Sequence, residues 1–90
     1  MKIVVNKSFG GFDISDEAAR KLGLSNGYHI ISRFNNRLIK MVEEDADKTS
    51  GQSAKLRVVE IPDNATDWEL NDYDGQETII YVVDGRIHHA

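Results

Sequence analysis

The sequence predicts a small α+β protein with a single domain, residues 1–90. We expect an antiparallel sheet of three to four strands with two helices packed on one face. Runs rich in valine and isoleucine indicate strands, and two stretches with helical periodicity carry capping residues. The order of elements, β, α, short β, α, β, β, β, is typical of an α+β fold rather than an alternating α/β fold.

The composition narrows the class of protein. Ninety residues correspond to one domain, and 40% hydrophobic with 29% charged residues indicates a globular chain. The chain has no cysteine, which excludes disulfides, thiolate metal sites and thiol catalysis and is consistent with the cytoplasm. No apolar run suits a signal peptide or a membrane span. A chain this short has a thin margin of stability, and a homodimer would widen it.

The first half of the chain begins with a strand and a helix. Lys2–Val5 is rich in β-branched residues and predicts the strand. Ser15 is a favourable N-cap for a helix over residues 16–22. Gly23 follows as a C′ residue that ends this helix.

The middle of the chain predicts a second helix. Arg37–Glu44 has the apolar spacing of a helix, with Asn36 as its cap. Before it, Tyr28–Ser32 is either a short strand or an extended connector. After it, Lys48–Ser53 predicts a polar loop.

The second half predicts three more strands. Leu56–Ile61 alternates as a strand and stops at Pro62, which cannot donate to a ladder. Trp68–Asn71 alternates as the next strand, and Asp74-Gly75 favours a tight hairpin. Thr78–Val83 is almost continuously apolar, so we expect it inside the sheet and covered on both faces. The last residues form a tail or a short edge segment.

The two halves of the chain differ in charge. Residues 1–42 hold seven basic and three acidic side chains, a net charge of +4, whereas residues 43–90 hold four and twelve, a net charge of −8. In one interpretation, the acidic residues of the second half simply form an ordinary solvated surface. In the other, a concentrated negative face meets a basic partner.

Two acidic groups are the candidates for such a face. The first follows the second predicted helix, where carboxylates oppose the helix dipole. The second surrounds the only tryptophan, which is either a core anchor or an interface hot spot. The candidate partner-binding residues are Glu43, Glu44, Asp45, Asp47, Asp63, Asp67, Trp68, Glu69, Asp72 and Asp74.

Catalytic and metal signatures are weak. Adjacent His88 and His89 point to opposite sides of an extended chain and chelate poorly together. The Asp72-x-Asp74-Gly75 sequence lacks the later ligands of a calcium loop. Paired carboxylates need a cleft that raises one pKa, and a sheet of this size has little room for one. We therefore expect no enzymatic activity, no metal and no cofactor.

Three stretches resemble a family of small bacteriophage and prophage proteins without an assigned activity. They are KIVVNKSFGGFDISDEA, RLIKMVEED and AKLRVVEIPDNATDWELNDYDG, which match the family's motifs in order over most of the chain. The end, GRIHHA, departs from the basic-aromatic tail of the family. The resemblance implies a phage origin and a location in the cytoplasm of the host bacterium. It brings no catalytic residues.

Three functional hypotheses follow. The leading one is a non-enzymatic counter-defence protein of the anti-CRISPR type, which binds no nucleic acid and no membrane itself. Its carboxylates would occupy a basic nucleic-acid-binding groove of a host protein. The second is an oligomer that sequesters a nucleotide signal, using Lys7 and Arg33 or Arg37 near Gly10-Gly11. The third is a phage accessory protein with no defence role.

Overall fold

The computed structural model describes residues 1–24 and 31–90 and confirms the predicted α+β class. Its strands are divided between two sheets, and a third, one-turn helix joins the two that were predicted. The short element predicted over residues 28–32 lies largely outside the described residues. The elements are β1 (Lys2–Asn6), α1 (Asp16–Lys21), α2 (Asn36–Glu44), α3 (Ala46–Thr49), β2 (Leu56–Glu60), β3 (Asp67–Tyr73), β4 (Gln76–Val83) and β5 (Arg86–His89).

The elements form three layers, with the antiparallel β1–β2 pair in the middle. Because side chains alternate along β1, Val4 packs with the helices, whereas Ile3 and Val5 pack against Ile79 of the second sheet. That sheet is an antiparallel meander in the order β3-β4-β5. The outer face of the meander is covered by no other element of the described chain.

The first helix ends as its sequence predicts. The Ser15 side chain accepts a hydrogen bond from the Ala18 backbone N–H. Gly23 has φ +74°, and the Leu24 N–H donates to the Ala19 carbonyl at 2.9 Å. These contacts form a Schellman motif, which satisfies carbonyls that the helix leaves unpaired.

The second helix begins one residue before the predicted start and ends at Glu44, as predicted. Asn35, not Asn36, is its N-cap, because the Asn35 side chain accepts from the Leu38 N–H at 3.0 Å. At the other end, α3 replaces the first part of the predicted polar loop. The Asp45 side chain starts this helix by accepting from the Lys48 N–H at 3.1 Å.

Two tight hairpin turns of the same type connect the strands of the meander. Asp74 and Gly75 have φ +51° and +89°, and Asp84 and Gly85 have φ +51° and +76°, which are the signs of a type I′ turn. The middle position of β4 is confirmed. We expected β4 to be covered on both faces, but only its inner face is covered, where Ile79 is fully buried. The predicted tail forms the edge strand β5.

Candidate functional site

The acidic group of the helical layer has local structural contacts. Glu43 pairs with Lys2 at 2.7 Å, and this contact raises the pKa of Lys2 above its ordinary value. Asp45 caps α3, and Asp47 lies in the first turn of that helix. Two of these carboxylates therefore lie near the favourable positive end of a helix dipole, rather than only at the unfavourable end of α2.

The acidic group of the meander lies on β3 and its flanking turns. Asp67 and Glu69 are exposed and share the outer face of the sheet, whereas Asp72 belongs to the inner face. Asp72 accepts from the Gly75 N–H at 2.8 Å, and Asp74 occupies the hairpin turn. Earlier in the chain, Asp63 pairs with the N-terminal amine at 3.0 Å.

The two acidic groups do not form one continuous surface. The first belongs to the helical layer and the second to the meander, and the β1–β2 pair lies between these layers. The side chains of Glu44, Asp47, Glu69 and Asp74 make no hydrogen bond or ion pair with the described residues. Of these, Glu69 lies on a strand that holds its side chain at a defined position.

Trp68 lies at the surface. Its side chain is 37% exposed, and its ring meets the Phe34 ring edge-to-face at a centroid distance of 5.3 Å. It therefore belongs to neither of the two buried clusters. A half-exposed tryptophan that is held by a neighbouring ring is available to a partner at little cost in side-chain freedom.

An apolar patch that was not predicted from the sequence lies beside these residues. Ile80, Val82 and Ile87 share the outer face of the meander, and Ile87 is 68% exposed. Together with the β3 residues they line a shallow depression of about 230 Å³. The signal in the sequence was the continuous apolar run of β4, which was interpreted as two covered faces. We call this surface the outer sheet face; it is formed by Asp67, Glu69, Ile80, Val82, Ile87 and His89.

A buried polar network, also missed, joins the meander to the middle layer. Glu77 is 3% exposed and accepts two hydrogen bonds from the Arg33 guanidinium, at 2.5 and 2.8 Å. The same carboxylate accepts from the Asn6 N–H at 2.8 Å. The Arg33 guanidinium lies 3.6 Å from the centre of the Phe12 ring. Every polar group here has partners, so the network is structural.

Two stretches that were distant in the sequence meet at this network. The Asn6 side chain donates to the Gly75 carbonyl at 2.7 Å. A Cβ on Gly75 would lie 2.5 Å from the Gly11 nitrogen. Gly10 packs as closely against Ser53, where a Cβ would lie 2.1 Å from the backbone oxygen. The GGF loop and the YDG hairpin thus serve to hold the layers together.

The basic residues considered for a nucleotide site already have partners. Arg33 is paired with Glu77. Lys7 donates to the carbonyls of Glu77 and Ala90 at 3.0 and 3.2 Å, and Arg37 donates to the Lys21 carbonyl. Lys7 and Arg33 therefore meet at Glu77, whereas Arg37 lies beside α1, and each has little capacity left for a common anion.

Neither a metal site nor a match to known proteins was found. Within residues 1–24 and 31–90, no group of three or more His, Asp or Glu side chains is placed to hold a metal ion. No helix in that part of the chain is long and apolar enough to cross a membrane. In comparisons with family models, curated proteins and solved structures, no match to the chain was found. The resemblance to phage proteins therefore stays a prediction.

Proposed function

We propose that this chain is a non-enzymatic, phage-encoded binding protein that blocks a host defence machine of the CRISPR type. Its acidic surface would occupy a basic nucleic-acid-binding groove of the host protein. The observation that carries the proposal is the position of Asp67 and Glu69. Both carboxylates are exposed on an edge strand and lie on the outer face of the meander.

Electrostatic complementarity supports this proposal. Residues 67–89, which form the meander, hold six acidic side chains and one basic side chain, a net charge of −5, so the meander repels phosphates and attracts a basic groove. Asp67 and Glu69 are two residues apart on one strand, which separates them by about 6.8 Å. Regularly spaced negative charges are also what a basic groove meets on a nucleic-acid backbone.

The contacts of the basic residues weigh against the alternative, a nucleotide-sequestering protein. That function needs cations that are free to converge on a phosphate. Lys7, Arg33 and Arg37 instead donate to groups of the chain itself. Gly10 is packed closely against Ser53, so of the glycine pair only Gly11 has open space beside it.

Inhibition of a purified host nuclease tests the proposal. A CRISPR effector loaded with its guide RNA is incubated with an excess of this protein, and the rate of target cleavage is measured. We expect inhibition that weakens as salt increases, because the contact is largely electrostatic. Effectors of each major type that cleave at the unchanged rate would contradict the proposal.

A pair of charge-reversal variants locates the surface. The Asp67→Lys/Glu69→Lys variant should lose inhibition. The control, Glu17→Lys/Glu60→Lys, changes the net charge equally on exposed residues of other layers and should retain it. Asp72 is left unchanged in this design because its carboxylate caps the hairpin. Equal inhibition by both variants would show that only net charge matters.

A further inference from the structure

The outer sheet face has a regular two-sided pattern. Strand pairing arranges its residues in two rows across the meander: Asp67, Val82 and Ile87 in one, Glu69, Ile80 and His89 in the other. Each row begins with a carboxylate on β3 and continues with an aliphatic side chain on β4. A surface that only imitates phosphates has no use for this exposed apolar centre.

We infer that the outer sheet face docks an amphipathic basic helix of a protein partner. This inference rests on the proposed function and specifies what the host protein presents to the site. The apolar stripe of the helix would cover Ile80, Val82 and Ile87. Lysine or arginine side chains along one flank would reach Asp67 and Glu69.

The dimensions of the face fit one helix. The outer strands of a three-stranded sheet are about 10 Å apart, which is close to the diameter of a helix with its side chains. Asp67 and Glu69 are separated by about 6.8 Å along β3. Basic residues four positions apart on a helix are separated by about 6 Å along its axis, and they lie on the same side.

The negative charge of the outer sheet face favours a basic helix over other partners that could cover an apolar surface. The two carboxylates repel a nucleic acid and an anionic membrane surface. A second copy of the chain brings the same carboxylates and a net charge of −4 of its own. Of these occupants, only a basic amphipathic helix complements both the carboxylates and the apolar residues of the outer sheet face.

Ile87 is the expected anchor of the contact. It is 68% exposed in the free protein, so covering it removes a large apolar area from water. It also borders the depression that Asp67, Trp68 and Glu69 share. Trp68 alternates with Asp67 and Glu69 on β3, so its indole lies on the inner face of the meander, against Phe34, and not on the outer sheet face.

A designed peptide tests the inference without any host protein. The probe is a peptide of about 14 residues, roughly four turns, with leucines on one stripe and lysines spaced i, i+4 along one flank. One control has the same composition in an order that destroys the stripe, and another replaces lysine by glutamate. Binding is followed by backbone amide shifts in NMR spectra.

We expect only the patterned lysine peptide to bind, with amide shifts centred on Ile80, Val82 and Ile87. Ile87→Ser should weaken it about tenfold and leave the fold intact, because the side chain is mostly exposed. The Asp67→Lys/Glu69→Lys variant should lose the lysine peptide and bind the glutamate peptide instead. Equal binding of the scrambled peptide, or shifts confined to the helical layer, would overturn the inference.

The same variants separate this inference from the proposed function. If wild-type protein and Ile87→Ser inhibit the nuclease equally while no peptide binds, the function stands and the docking of a helix is wrong. If the peptide binds as expected while no effector is inhibited, the helix site stands and the counter-defence function is wrong.

Discussion

Glu77 is the residue whose surroundings differ most from what its sequence context indicates. It lies among exposed carboxylates along the chain, yet it is 3% exposed and held by Arg33 and the Asn6 N–H. A buried carboxylate is tolerated only when it is paired and hydrogen-bonded. Its neighbours Asp72 and Asp74 are exposed. The acidic stretch thus contains one buried structural carboxylate, Glu77, beside exposed ones such as Asp74.

We expect Glu77→Ala to cost about 3–5 kcal/mol of stability, because it leaves the Arg33 guanidinium without its anion. Replacing both partners, in Arg33→Met/Glu77→Leu, should cost less than Glu77→Ala alone, since no charge is then left unpaired. Urea unfolding of the two variants measures the difference. As a control, Glu69→Ala removes an exposed carboxylate and should change stability by less than about 0.5 kcal/mol. A double variant less stable than Glu77→Ala would contradict this account.

The Lys2–Glu43 pair has a defined pH dependence. Glu43 raises the pKa of Lys2, so the folded state holds that proton more tightly than the unfolded state. Its contribution is therefore fully present below the ordinary lysine pKa of about 10.4 and is lost as the pH rises through the raised value. The two side chains are exposed, so the pair adds little to stability near neutral pH.

At the scale of elements, the two Asp-Gly hairpins form a natural comparison. Both glycines have positive φ, so alanine at either position carries backbone strain of about 1–2 kcal/mol. A Cβ on Gly75 would also clash with the loop at Gly11, whereas a Cβ on Gly85 meets no atom within 4 Å. The first hairpin is packed against the middle layer, and the second is free.

We therefore expect Gly75→Ala to be more destabilising than Gly85→Ala. The extra cost of forcing a methyl group into a packed site is about 1–3 kcal/mol. Because the two turns are alike in sequence and φ, the difference between the variants isolates the close packing. Thermal unfolding of both variants measures it. Equal losses of stability would show that the hairpin does not depend on its contact with the loop.

The elements that the sequence predicts correctly are those set by local signals. Ser15, Gly23 and the Asp74-Gly75 turn act on their own neighbours, and the structure confirms each one. Helix α3 was missed because Asp45 was interpreted as the end of one helix rather than the cap of the next. Local chemistry allows both interpretations of such a residue.

The parts that could not be predicted depend on long-range contacts. Arg33 and Glu77 are 44 residues apart, and nothing in either neighbourhood shows that they pair. The division into two sheets follows from which residues pack on each face of β1, which one sequence does not reveal. Of the candidate site, Asp67 and Glu69 were predicted, whereas the apolar residues that complete the face come from other strands.

At the scale of the whole molecule, β1 belongs to both buried clusters. Val4 packs with the helices, and Ile3 and Val5 pack with the meander. The Arg33–Glu77 pair and the contacts of Asn6 join the same layers through polar groups. If either outer layer unfolds, one face of β1 becomes exposed. Because the other outer layer packs on the opposite face of β1, it is destabilised as well.

We expect the three layers to unfold as one cooperative unit. Trp68 reports on the meander and far-UV circular dichroism reports mainly on the helices, so the two signals should give the same midpoint in urea. Ile79→Ala, in the cluster between the sheets, should cost about 2–5 kcal/mol and lower both midpoints equally. Leu38→Ala, in the helical cluster, should also lower both midpoints equally. If Ile79→Ala shifts the fluorescence midpoint alone, β1 does not couple the layers, and the outer sheet face stands on an independently folding meander.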